Sequence, residues 1–366
     1  AQKRPTCTGG LQIRESYDLE ALQSCTTYSG AISITSLSLP DLVFPHLQYL
    51  DGIIAVNNND RLRRLSFPHL KSATRISVVN QTLLTTLEFP SLQKSEFLLF
   101  KVLPSLTDLS FSMGLNDTGS FEVADTGITS LNGLDMKNTK SLRITDNRNL
   151  VHLRLPYLRN TDELFLSGNG QGTIRINAPS LNSLRDLTLR NVGFTSLPGL
   201  GTISNDLVIE ENSFDSFSIP NLGSVSGTLT IRSSPLKSIC LPELQSVGGS
   251  VVISNNPNLQ TITGFPKLKQ VNGFIDITGS FRELDLSGLQ ESREKHLCAG
   301  RELKNPKALL AGKKERKVIT GKNDTGNNNS NTTTGMGKKS NASKIICAQL
   351  ESFVFGFAIT ALSILI

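Results

Sequence analysis

Residues able to do chemistry are few and scattered in this chain of 366 residues. Its histidines, His46, His69, His152 and His296, fall at none of the short spacings with which side chains share a metal. There is no GxSxG elbow, Walker loop or CxxC pair, so the sequence carries no recognisable nucleophile, phosphate cradle or dithiol site, and no cofactor is expected. Modification chemistry is better represented. Asn-x-Ser/Thr acceptors for N-linked glycans stand at Asn80, Asn116, Asn323, Asn328, Asn331 and Asn341. Of the five cysteines, Cys347 sits beside an apolar C-terminal tail, which leaves four, an even count suited to two disulfides in an oxidising compartment. Cys7 and Cys25 flank a segment that reads as a strand and short helix closed on itself; Cys240 and Cys298 then pair by elimination.

These residues are positioned by a repeat. The core Phe67-Pro68-His69-Leu70 returns as Phe44 to Leu47, Phe89 to Leu92, Leu155 to Leu158, Ala178 to Leu181, Ile219 to Leu222, Leu241 to Leu244 and Phe265 to Leu268. Consecutive prolines are typically 22 to 24 residues apart, and the early gap from Pro90 to Pro156 equals three periods of 22. Between the cores run apolar-x-apolar triplets, from Ile32-Ser33-Ile34 to Ile275-Asp276-Ile277, twelve in all, each the alternation of a short strand with one buried face. One such coil cannot bury its apolar side alone, so the pattern predicts a right-handed parallel β-solenoid of about twelve coils with a period near 22 residues. Proline suits the corner, where its missing N–H lies outside the strand ladder. Two residues after each triplet stand small or polar types, among them Asn58, Asn80, Asp125, Asp146, Asn191, Ser233 and Asn255; these are expected to point inward and bond the turns of neighbouring coils. A glycan on Asn80 would then disrupt stacking, whereas Asn116 falls in an accessible turn.

The expected organisation is a disulfide-closed N-terminal cap over 1–30, repeats over 31–288, a partly helical C-terminal cap over 289–312, a Lys/Asn-rich stalk over 313–343 and a removable signal over 344–366. The net charge of +6 belongs to the stalk region: residues 301–344 hold 11 Lys/Arg against three Asp/Glu, a net of +8, leaving about −2 elsewhere. A nucleic-acid partner is therefore not expected. Residues 353–366, FVFGFAITALSILI, are too short for a comfortable bilayer crossing, and with the polar spacer and the small run Ser340-Asn341-Ala342-Ser343 they form a signal for exchange to a GPI lipid anchor, at Asn341 or alternatively Ser340. A short tail anchor is the alternative.

The middle residues of the triplets form one outward column, in which Leu99, Glu122, Arg143 and Phe165 fall on consecutive coils and make the candidate binding face. A plain Glu122–Arg143 surface pair is the simpler alternative. A polysaccharide-cleaving enzyme would need paired carboxylates on adjacent coils, and the column holds only Glu122 and Asp276, seven coils apart.

The Phe-Pro-x-Leu coil, the Cys-bounded start and the C-terminal anchor signal together resemble the fungal GPI-anchored cell-wall organisation proteins, whose repeats are similar to receptor L domains. The resemblance covers about residues 5–300. It implies a non-enzymatic role in cell-wall organisation and integrity at the cell surface, with wall polysaccharide or wall glycoprotein as partner and an adhesion or recognition ectodomain as the alternative. Lys338-Lys339, ahead of the anchor site, implies retention at the plasma membrane rather than transfer to the wall.

Overall fold

The computed structural model describes residues 7–292 and 296–299. The chain divides into two units, Ala1–Lys314 and Glu315–Ile366, and every described residue belongs to the first. The expected stalk, the anchor signal with Ser340 and Asn341, and the acceptors Asn323, Asn328 and Asn331 lie outside the described residues.

The described unit is a parallel β-solenoid. Its twelve triplet strands stack in unbroken register, so that Ile32 faces Ile54, then Ile76, Leu98, Phe121, Leu142, Leu164 and on to Ile275. The two apolar residues of every triplet are buried and the middle one is half-buried on the outer side. Thr8–Ile13 adds a further rung ahead of these, pairing residue by residue with Ser29 to Ile34, so the expected cap segment itself extends the sheet. It is followed by a 3-10 turn, Ser16–Leu22, and tied down by the Cys7–Cys25 disulfide. At the other end, within the segment expected to form a partly helical cap over 289–312, Glu291–Ser292 and His296–Ala299 pair in parallel with Gln270–Val271 and Ile275–Thr278, because an open rung offers backbone partners to any chain laid along it. Residues 293–295 and 300–312 of that segment lie outside the described residues.

Each coil returns through short strands such as Asp41–Val43, Arg64–Ser66 and Thr86–Glu88, which make a second, narrower sheet. The Phe-Pro-x-Leu core follows each of these and is a β-turn: the Leu70 N–H donates to the Phe67 carbonyl at 3.4 Å, as Leu92 does to Phe89 at 3.2 Å and Leu244 to Leu241 at 3.2 Å. Proline occupies the second turn position, where its fixed φ fits, and the first and fourth side chains both turn into the core. Phe44, Phe67 and Phe89 stack over one another with centroids 4.5 and 5.2 Å apart and rings within 6° of parallel. Leu197-Pro198-Gly199-Leu200 is a further corner of this type, with Leu200 bonded to Leu197 at 3.3 Å.

The inward polar ladder runs one residue later than expected. Asn58, Asn80, Asp125, Asp146, Asn191, Ser233 and Asn255 are exposed and have left-handed backbone, φ 50–57°. That reversal turns the following residue inward, so the buried ladder consists of Asn59, Gln81, Thr126, Asn147, Asn169, Asn212, Ser234 and Asn256. Asn59 accepts from the Leu37 N–H at 2.8 Å and donates to the Ile34 carbonyl at 3.1 Å; Asn147 accepts from the Thr126 hydroxyl at 2.6 Å and donates to the Val123 carbonyl at 3.1 Å. Each side chain thus satisfies backbone groups that the turn leaves without strand partners. Asn80 is consequently not an inward residue.

Candidate functional site

The outward column of the long sheet carries different residues from coil to coil. Leu99, Glu122, Arg143 and Phe165 are direct cross-strand neighbours on four consecutive rungs, and all four are half-buried. Arg143 does not turn to Glu122. Its guanidinium lies 4.2 Å from the centroid of the Phe165 ring and donates to the Glu163 carboxylate, which also accepts from the Ser141 hydroxyl at 2.7 Å. An expected Glu122–Arg143 pair is therefore replaced by an Arg143–Glu163–Ser141 cluster, since Glu163 sits upstream on the rung where the aromatic platform already holds the arginine. Glu122 forms no ion pair among the described residues.

A second outward column, two residues upstream, escaped the triplet reading. Register places Arg75, Phe97, Ser120, Ser141, Glu163 and Asp186 on successive rungs. Arg75 repeats the Arg143 arrangement, its guanidinium 4.3 Å from the Phe97 centroid. The strands begin several residues before the triplets, and the doubled outward stretch at Glu96-Phe97 hides the alternation that would have announced the column. A shallow groove on this face is lined by Arg75, Lys94, Phe97, Asp117, Ser120 and Lys140. Lys94 and Asp117 pair across it at 2.8 Å.

Several carboxylates are engaged as acceptors: Glu163 and Asp186 on this face, Glu211 just past the end of its strand Leu207–Glu210, and Glu88 on the second sheet. Burial pushes the Asp186 carboxyl up, but hydrogen bonds from Asn205, the Asp206 N–H and Arg185 outweigh it and hold the group below its ordinary value. Glu88 is lowered by hydrogen bonds from Ser66 and Arg64, and Glu211 by Arg190, which grips it with two bonds of 2.9 and 3.0 Å. A general acid needs the opposite shift. His46 and His69 are exposed at the variable position of their corners, and no group of three metal-ligating side chains occurs among the described residues.

Asn116 is exposed in the single-residue link before the strand Asp117–Thr126, as an acceptor in an accessible turn should be. Asn80 is exposed immediately after Ser72–Val79, with its amide donating to Asn58 Oδ1 at 2.6 Å. Cys240 is disulfide-bonded, and the Cys298 side chain expected to hold it lies outside the described residues.

No family model and no solved structure matches the chain. The cell surface GPI-anchored protein of Arthroderma benhamiae is 30% identical over 289 residues, 78% of this chain and 74% of that protein. Protein ecm33 of Aspergillus fumigatus is 28% identical over 209 residues, 57% of this chain and 52% of its own length, and sporulation-specific protein 2 of Saccharomyces cerevisiae is 28% identical over 323 residues, 86% and 64%. The chain thus spans about half the length of the Aspergillus relative. The identity to the Arthroderma protein and the share of it that is covered mean that this chain belongs to the Ecm33-type family of fungal GPI-anchored cell-surface and cell-wall proteins.

Proposed function

We propose that the protein supports cell-wall organisation and integrity without catalysis, held at the outer leaflet of the plasma membrane by a GPI anchor and binding wall polysaccharide or a wall glycoprotein through its long-sheet face. The observation that carries this reading is the pair of arginine–aromatic stacks, Arg75 on Phe97 and Arg143 on Phe165, with Leu99, Glu122 and serine hydroxyls between them. Flat rings, apolar patches and fixed hydrogen-bonding groups at rung spacing suit an extended polymer that presents both C–H faces and hydroxyls. The downward shifts of Asp186 and Glu211 favour binding over acid catalysis. Three of the relatives are cell-surface or cell-wall proteins by name, and none of the Ecm33 proteins is named for an enzyme.

The test is a glycan-array binding assay beside hydrolysis and transglycosylation assays on wall glucans. Binding without turnover is expected, with affinity reduced at least tenfold by combining Phe165→Ser and Arg143→Glu. Unchanged binding in the folded double variant removes the face from the proposal, and turnover replaces it with an enzyme. Release of intact protein from cells by phosphatidylinositol-specific phospholipase C checks the anchor; release only by glucanase would mean wall linkage.

A further inference from the structure

We propose that Asn80 and Asn116 both carry N-linked glycans and that the two glycans border the long-sheet face at opposite edges, around the groove that contains Phe97. All strands of this sheet run in the same direction. Asn80 directly follows one strand, Ser72–Val79, and Asn116 directly precedes another, Asp117–Thr126, with Lys94–Leu103 as the rung between them. One acceptor therefore stands at the trailing edge and the other at the leading edge, two rungs apart along the stack and separated across it by the length of a strand, about 25 Å. The groove residues Arg75, Lys94, Phe97, Asp117 and Ser120 lie between.

Both side chains are exposed, and the left-handed backbone at Asn80, φ 55°, is what turns its amide outward. The hydrogen bond from Asn80 Nδ2 to Asn58 Oδ1 does not oppose modification. In the transfer, Nδ2 attacks the anomeric carbon of a lipid-pyrophosphate-linked oligosaccharide, the lipid pyrophosphate leaves, and one amide proton is lost. The second N–H remains and can still donate to Asn58. The buried neighbour Gln81 keeps its own bond to the Val79 carbonyl at 2.8 Å, so the inward ladder is untouched. A glycan at each edge leaves the face open along the stack and closed from the sides, admitting a thin chain in preference to a globular surface. This inference requires secretion of the chain and holds whatever the face binds.

The full chain secreted from a fungal host would be treated with an amide-cleaving glycosidase in heavy-oxygen water and mapped by mass spectrometry. Labelled Asp is expected at both 80 and 116, with a mobility step lost in each of Asn80→Gln and Asn116→Gln. An unlabelled Asn80 or Asn116 overturns the proposal. Bordering is read from Ser120→Cys in the groove, with Lys140→Cys as a second variant should the first fail to fold. A bulky polymer-linked maleimide should react several-fold faster after glycan removal, while a small maleimide reacts at one rate throughout and Thr230→Cys, on a distant rung, shows no change with either. Equal rates for the bulky reagent before and after removal overturn the bordering.

Discussion

The two halves of the solenoid build one coil in different ways. In the first half the long-sheet strands are continuous, eight to ten residues from Thr27–Thr35 to Ser183–Arg190. In the second, each is cut into a two-residue and a four-residue piece, such as Ser224–Val225 and Leu229–Arg232. The cut falls at Asn205-Asp206, Ser226-Gly227, Gly248-Gly249 and Asn272-Gly273, where a third bend is stacked coil on coil: Gly249 N–H to Gly227 O at 2.7 Å, Gly273 N–H to Gly249 O at 2.8 Å. A Cβ at Gly249 would come within 2.8 Å of the Gly227 backbone, so glycine permits this close stacking. The outer faces differ as a result. A continuous strand offers three or four outward side chains per rung in one plane, and both arginine–aromatic stacks lie there; a split strand offers two beside a bend.

The cores differ as well. Phe44, Phe67, Phe89 and Phe111 form a stacked column in the first half, whereas Ile219 and Leu241 occupy the equivalent corners of the second, where Phe265 returns without a stacked aromatic neighbour among the described residues. Phe67→Ala is therefore expected to have the largest effect, a loss of about 3–5 kcal/mol, because rigid rings on both sides cannot collapse into the space. Phe67→Leu converts this corner to the type found at Leu241 and should cost far less. Denaturant titration, with hydrogen exchange to localise the loss, checks both; equal costs for Ala and Leu would mean that the aromatic column is not what distinguishes the halves.

The inward ladder crosses both halves but is interrupted, at Leu103 and at Val192, both fully buried. Asn147 lies inside a continuous stretch and serves Thr126, Val123 and its neighbour Asn169. Asn147→Ala removes the bonds to the Thr126 hydroxyl and the Val123 carbonyl, while Asn169 keeps those from the backbone N–H of residue 147 and to Ile144, and should cost about 2 kcal/mol. The matching experiment at a gap is Leu103→Asn, whose new amide must find partners on a rung built without them. It is expected to destabilise too, and stabilisation would show the gap to be an accident rather than a packed alternative. Thermal and denaturant midpoints read both.

Much of the fold was legible because period and side-chain type report the same thing: the apolar triplet fixes the strand, and Phe-Pro-x-Leu is at once a turn sequence and a pair of core residues. The ladder was misplaced by one because the signal is blind there. Asn80 and Gln81 are both polar, and only the left-handed φ at Asn80 decides which is inside. Leu197 to Leu200 escaped notice because its coil is shortened, with triplets 20 residues apart at Leu187 and Leu207. The site was legible in its central column, where alternation is strict, and illegible two residues upstream, where the doubled outward stretch before Phe97 breaks it.

At the same left-handed position one coil carries a β-branched residue, and this gives the smallest effect. Asparagine, aspartate, serine and glycine fill it at most rungs, but Val102 holds φ 55° within the continuous half. A β-branched side chain crowds the backbone in this region, and unlike asparagine it gains no local hydrogen bond in return. Val102→Asn should stabilise by about 1 kcal/mol, and Asn58→Val should lose a similar amount, each read from the denaturation midpoint. Since Leu103, the next residue, is the ladder gap, Val102 and Leu103 together mark a coil that departs from the pattern at two adjacent positions while its outer face carries Phe97 and Leu99. If Val102→Asn stabilises and leaves binding through that face unchanged, the strain at this rung is separable from recognition; if binding falls, the departure is part of how Phe97 and Leu99 are presented.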